Sequence, residues 1–60
     1  MTTYRVLAKG KHDQRYHCFG MHTESIHADK NAESLAGSLW PEKVKIVIND
    51  GTTKGELIYK

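Results

Sequence analysis

The sequence predicts an α+β fold of order ββαββ, a four-stranded antiparallel sheet with one helix packed on one face. Three observations predict it. Residues 3–9 (Thr-Tyr-Arg-Val-Leu-Ala-Lys) and 43–49 (Lys-Val-Lys-Ile-Val-Ile-Asn) alternate side-chain character with a period of two, the mark of half-buried strands. Between them Ala32, Leu35, Ala36 and Leu39 recur at i, i+3, i+4 and i+7, the stripe of an amphipathic helix. Asn49-Asp50-Gly51-Thr52-Thr53 is a reverse-turn signal, since Asn, Asp and Gly tolerate positive φ.

Each element follows from local chemistry. The first strand spans 3–9, with Tyr4, Val6 and Ala8 on one face and Arg5, Leu7 and Lys9 on the other. The polar stretch Gly10-Lys11-His12-Asp13-Gln14 is a hairpin loop. A second strand starts near Arg15, with Tyr16 and Cys18 on one face and His17, Phe19 and Met21 on the other. It cannot run unbroken to Ala28, so Gly20 is the expected bulge or break. His22-Thr23-Glu24-Ser25 is then a kink, and Ile26-His27-Ala28 the strand's end.

Asp29 is the expected helix N-cap, with Asn31 as the alternative. Gly37 weakens the helix by about 1 kcal/mol relative to alanine, with close packing on the sheet as its compensation. Pro41 ends the helix, because the residue before a proline is pushed out of helical geometry, and Trp40 covers the lower edge of the core. The strand 43–49 and the turn after it lead to a last strand at 56–59. No repeat, linker or low-complexity segment interrupts the chain, which is one domain over residues 1–60.

The composition is that of a folded soluble protein, with 38% hydrophobic and 27% charged residues. No apolar run reaches the roughly 20 residues that cross a bilayer, so no membrane is expected, and the first residues lack the apolar stretch of a signal peptide. A single cysteine points to a reducing compartment, the cytoplasm. The net charge of +2 is too small to mark a nucleic-acid arm or an acidic mimic. A domain this short buries only about 60% of its unfolded surface. Self-association or a bound partner would relieve that shortage.

His12, His17, Cys18, His22 and His27 invite a metal or proton-transfer reading. Their spacing argues against it. A step of five reverses the face on an extended chain, so His17 and His22, and His22 and His27, should point apart. The two close ligand pairs of a structural zinc site are missing, although Cys18 and His22 share strand parity. The expectation is no metal and no cofactor. Catalytic residues are likewise none: His12-Asp13 are adjacent in a loop, Cys18 lacks a device to lower its pKa and is expected as a small core residue, and no phosphate loop or hydrolase motif occurs.

The working surface is expected on the sheet face that the helix leaves open. Val6, Ala8, Val44, Ile46, Ile48, Tyr4 and Tyr16 should meet the helix. Alternation then puts Arg5, Leu7, Lys9, Arg15, His17, Phe19, Met21, Lys43, Lys45 and Val47 on the open face. Two binding functions suit that mixture. One is protein contact, with Leu7, Phe19, Met21 and Val47 as anchors inside a basic rim. The other is single-stranded nucleic acid, with Phe19 and His17 stacking on bases and Arg5, Arg15, Lys43 and Lys45 meeting phosphates. A solvated face without a ligand is the third alternative.

The run Ile26-x-Ala28-Asp29-x-x-Ala32-Glu33-x-Leu35-Ala36, followed by Val44-x-Ile46-x-Ile48, resembles the strand–helix–strand portion of small phage-encoded accessory proteins. These include early proteins that bind and inhibit a host enzyme. The resemblance implies a non-enzymatic protein that acts by binding a bacterial protein, and it carries no functional residue onto this chain.

Overall fold

The computed structural model describes residues 1–60. Four strands and one helix follow one another as β1 (Thr3–Lys9), β2 (His17–His22), α1 (Ser25–Ala36), β3 (Lys43–Asn49) and β4 (Lys54–Ile58). The sheet is antiparallel with order β2-β1-β3-β4. This is the α+β architecture that the alternating strands and the single helical stripe predict.

The two central strands pair without a break, from Thr3 opposite Asn49 to Lys9 opposite Lys43. That register puts Val6 against Ile46 and Ala8 against Val44. The four side chains are buried under Ala28 and Ala32 of α1, and these six residues form the core. Alanines on the inner helix face hold α1 close to the sheet, so the core is thin. Tyr4, Leu35, Ala36, Ile48 and Tyr59 pack around its margin.

The loop after β1 is closed by Asp13, whose carboxylate accepts the Gly10 N–H at 2.8 Å while the Asp13 N–H bonds the Gly10 carbonyl at 3.2 Å. The β3–β4 turn is built by its side chains. Asp50 accepts the N–H groups of Thr52 and Thr53, each at 2.8 Å, and Asn49 accepts that of Gly51 at 2.9 Å. Gly51 stands at φ +94°, where a side chain would be strained. Hydrogen bonds from Thr53 and Thr52 hold the Asp50 carboxyl below its usual pKa, because they favour the charged form.

Helix α1 differs from its expected bounds at both ends. It starts at Ser25 rather than after Asp29, so Ile26, His27 and Ala28 form its first turn instead of a strand end. Ala28 is thereby the first core contact of the helix, a position that strand alternation cannot assign. The N-cap is Glu24, extended at φ −121° and ψ 132°, with no side-chain cap. At the other end Gly37 is an exposed C-cap, with its N–H on the Glu33 carbonyl at 3.0 Å. It touches no sheet residue. The helix thus stops four residues short of Pro41, and Leu39, expected in the stripe, is fully exposed.

Strand β2 contains the second correction. Gly20 lies opposite Val6 and Cys18 opposite Leu7, so Phe19 is the extra residue of a β-bulge. Gly20 lies close under the Asn31 side chain, which a Cβ there would meet at 2.6 Å and displace.

Candidate functional site

The open sheet face is a grid fixed by register. One row runs Met21, Arg5, Val47, Glu56 across β2, β1, β3 and β4. The next runs Cys18, Leu7, Lys45, Ile58, and Lys9 and Lys43 pair in a third. Met21 and Ile58 are largely exposed, Leu7 and Val47 partly so. An apolar band of Met21, Leu7, Val47 and Ile58 therefore crosses the sheet, with Arg5, Lys9, Lys43 and Lys45 around it.

Tyr16 joins this face, contrary to its expected place under the helix. The Lys45 ammonium lies 4.4 Å and that of Lys9 5.0 Å from its ring centroid, close enough for cation–π attraction. Lys45 also donates to Glu56 at 2.9 Å. The tyrosine ring, two lysines and a carboxylate thus form one connected patch. Tyr16 precedes β2 by one residue and keeps the face of Cys18, the pair having crossed together to the open side.

The bulge at Phe19 reassigns three residues. Inserting one residue reverses the alternation of everything before it. Cys18, expected in the core, is an exposed free thiol on the open face, 3.6 Å from the Gly20 carbonyl. His17 turns to the helix side, opposite buried Ala8. Phe19 packs its ring edge-on against Trp40 at 5.6 Å, and Trp40 also lies 6.5 Å from the His17 ring. Trp40 stands over Gly10, where a Cβ would come within 2.9 Å of the indole nitrogen. His17 and Phe19 thus belong to an aromatic cluster at one end of the helix layer, away from the open face. Arg15 is exposed in the loop before β2. Arg5, Leu7, Met21, Lys43, Lys45 and Val47 lie on the open face.

Glu56 and Ile58 of β4 complete that face although sequence reasoning did not place them there. Pairing counted outward from the Asp50-Gly51 turn, which sets Val47 against Glu56 and Lys45 against Ile58, would have found them. Cys18 and Tyr16 offered no such signal, since the bulge sets the face of both.

The histidines gather differently from the expected scatter. His22 and His27 stack with centroids 6.5 Å apart, because His27 sits in the first helical turn rather than at a strand end. His22 Nε2 lies 3.2 Å from the Asn31 side-chain nitrogen, and His27 lies 3.6 Å from Glu24. His17 is 3.6 Å from Asp13, the residue that closes the loop, and His12 is exposed. Cys18 and His22, of equal parity in a regular strand, fall on opposite faces. No three His, Cys, Asp or Glu side chains are grouped to hold a metal ion.

On the helix side, a groove of about 300 Å³ lies between α1 and β4, lined by Tyr4, Ser25, Ile26, Asp29, Ile46, Leu57 and Tyr59. The Tyr59 hydroxyl donates to Asp29 at 2.5 Å. That bond and partial desolvation raise the phenol's pKa to about 12. No helix is long and apolar enough to cross a membrane. Comparison with protein-family models, curated proteins and solved structures finds no match.

Proposed function

We propose that this is a small non-enzymatic binding protein that works in the cytoplasm through its open sheet face, on a protein partner. One observation carries the reading: the helix covers one side of the sheet, and the other side aligns Met21, Leu7, Val47 and Ile58 within a basic surround. An apolar band inside a polar rim is the anatomy of a protein contact. Arg5, Lys9, Lys43 and Lys45 set against themselves would repel, so the partner for this face is a different protein with acidic residues around an apolar strip. The phage-type resemblance names the role that fits, an inhibitor or modulator of a bacterial protein.

Single-stranded nucleic acid is the less supported occupant. Base stacking needs open aromatic faces. Phe19 and His17 pack beside Trp40 instead, and two lysines lie over Tyr16.

The test is affinity purification from bacterial cells with wild type and two variants. Leu7→Asp should lose the captured protein while Phe19→Ala keeps it, both remaining folded by circular dichroism. Capture that depends on Phe19 and ignores Leu7 would place the contact on the aromatic cluster and defeat the proposal. Anisotropy with short single-stranded oligonucleotides at two salt concentrations supplies the other decision. Affinity that falls as salt rises and disappears in Arg5→Glu would favour nucleic acid.

A further inference from the structure

We infer that β4 pairs antiparallel with β4 of a second copy, about a two-fold axis at Leu57. The two sheets then join into one of eight strands.

The first support is the backbone. Tyr59 donates its N–H to the Val44 carbonyl at 2.8 Å, and Leu57 and Gly55 lie opposite Ile46 and Ile48. Odd-numbered residues of β4 therefore turn their backbone groups toward β3, and Glu56 and Ile58 turn theirs outward. All five residues of β4 are exposed. Edge strands are ordinarily guarded by bulges, prolines or central lysines. The β2 edge has its bulge at Phe19. No bulge or proline stands between Gly55 and Tyr59, and the one charge there, Glu56, is taken up by Lys45 at 2.9 Å.

The second support is self-complementarity, which selects the occupant and the register. Opposed residues in an antiparallel pair share a face, so a two-fold axis must pass through a residue position. At Glu56 it would set two carboxylates directly opposite, which is destabilising. At Ile58 little ladder remains, since the strand ends there and Tyr59 and Lys60 both direct their N–H groups to the Val44 carbonyl. At Leu57 the pairs within the strand fit, and the one like-charge pair falls beyond its end. Leu57 meets its own copy beside the groove of Tyr4, Ile26 and Ile46. Gly55, with open space where a side chain would stand, leaves room opposite the second copy's Tyr59. Glu56 faces Ile58, so the outward groups of those residues bond across the axis. Lys54 faces Lys60, whose ammonium is turned away to the Ser38 carbonyl at 3.0 Å.

The pairing covers part of Leu57 and Ile58, both exposed apolar side chains. It leaves Met21, Leu7 and Val47 free on the open face and takes only its edge at Ile58, so it shares that one residue with the heterologous contact proposed above.

Cysteine cross-linking reads the register directly. In a Cys18→Ser background, Leu57→Cys should form a disulfide-linked dimer in air. Glu56→Cys and Ile58→Cys should not, because in this register each lies farther from its copy than the roughly 7 Å limit for a bridge. Sedimentation equilibrium of the unmodified protein should show a dimer. Ile58→Pro, which deletes an outward N–H and spares the β3 ladder, should weaken that dimer at least about tenfold with an unchanged circular dichroism spectrum. A monomer at about millimolar concentration, cross-linking at residue 56 or 58 instead of 57, or a folded Ile58→Pro that still dimerises would each overturn the inference.

Discussion

At the scale of single residues, the bond from Tyr59 to Asp29 joins the chain beyond β4 to the helix across the groove. It also carries a pH signature. The phenol's pKa rises from 10.0 to about 12 on folding, so the folded state holds this proton more tightly than the unfolded chain. The stabilisation is complete below pH 10 and fades as pH climbs through 12. Tyr59→Phe should cost about 1 kcal/mol near neutrality, the usual worth of a side-chain hydrogen bond. Melting curves of both proteins from pH 7 to 12 check this: the gap between them should close on the alkaline side. A gap that is constant in pH would mean the bond contributes nothing.

At the scale of elements, α1 is a helix set by its surroundings. Its N-cap residue Glu24 makes no side-chain cap bond, and its stripe of small side chains gives it little burial of its own. What holds it is contact of Ala28 and Ala32 with the sheet. Glu24→Ser should add about 0.5–1 kcal/mol by supplying the missing cap. The ion pair this removes, His27 with Glu24 at 3.6 Å between exposed side chains, is worth little. Chemical denaturation of the two proteins gives the comparison, and a loss of stability on adding serine would refute the capping account.

The expectation of Asp29 as the cap shows why helix starts are hard to read. Asp29 is a good capping residue by type, but its carboxylate is engaged by Tyr59, thirty positions away. The seam between strand and helix lies at Glu24-Ser25, where Thr23 and Ser25 are capping residues by type yet neither is the cap. The bulge in β2 is similar. Gly20 marked the neighbourhood, yet Phe19 is the inserted residue, and one position decides which face His17, Cys18 and Phe19 occupy.

At the scale of the whole molecule, stability rests on one thin layer. Val6, Ala8, Ala28, Ala32, Val44 and Ile46 are the only buried hydrophobic residues. A domain of this size has about 3–9 kcal/mol in total. Ile46→Ala opens a cavity at the centre of that layer and should cost about 2–5 kcal/mol. Leu39→Ala should change nothing measurable, since Leu39 is bare although it fits the helical stripe. Thermal melts of the pair test the assignment of inside and outside; equal losses would show that Leu39 packs on the core.

The same thinness leaves an apolar band on the open face and an unpaired edge at β4. Surfaces of that kind suit a protein that works by contact. The proposed dimer uses the β4 edge and the proposed heterologous partner the middle of the open face, and the two meet at Ile58.

By itself the sequence determined the element order, both central strands to the residue, the turn at Asn49–Thr53 and the buried row Val6, Ala8, Val44, Ile46. Those features depend on alternation and turn chemistry, which act between near neighbours. Only the tertiary structure decided the helix start, the bulge at Phe19, the meeting of His22 with His27, and the place of Tyr16 between two lysines. These depend on which strand lies beside which and in what register, and a one-residue slip there moves a side chain from one face of the sheet to the other. The open face was therefore legible as a surface, through Arg5, Leu7, Lys43, Lys45 and Val47. Its true edge, with Cys18, Tyr16, Glu56 and Ile58 in and His17 and Phe19 out, waited on strand pairing that no local pattern encodes.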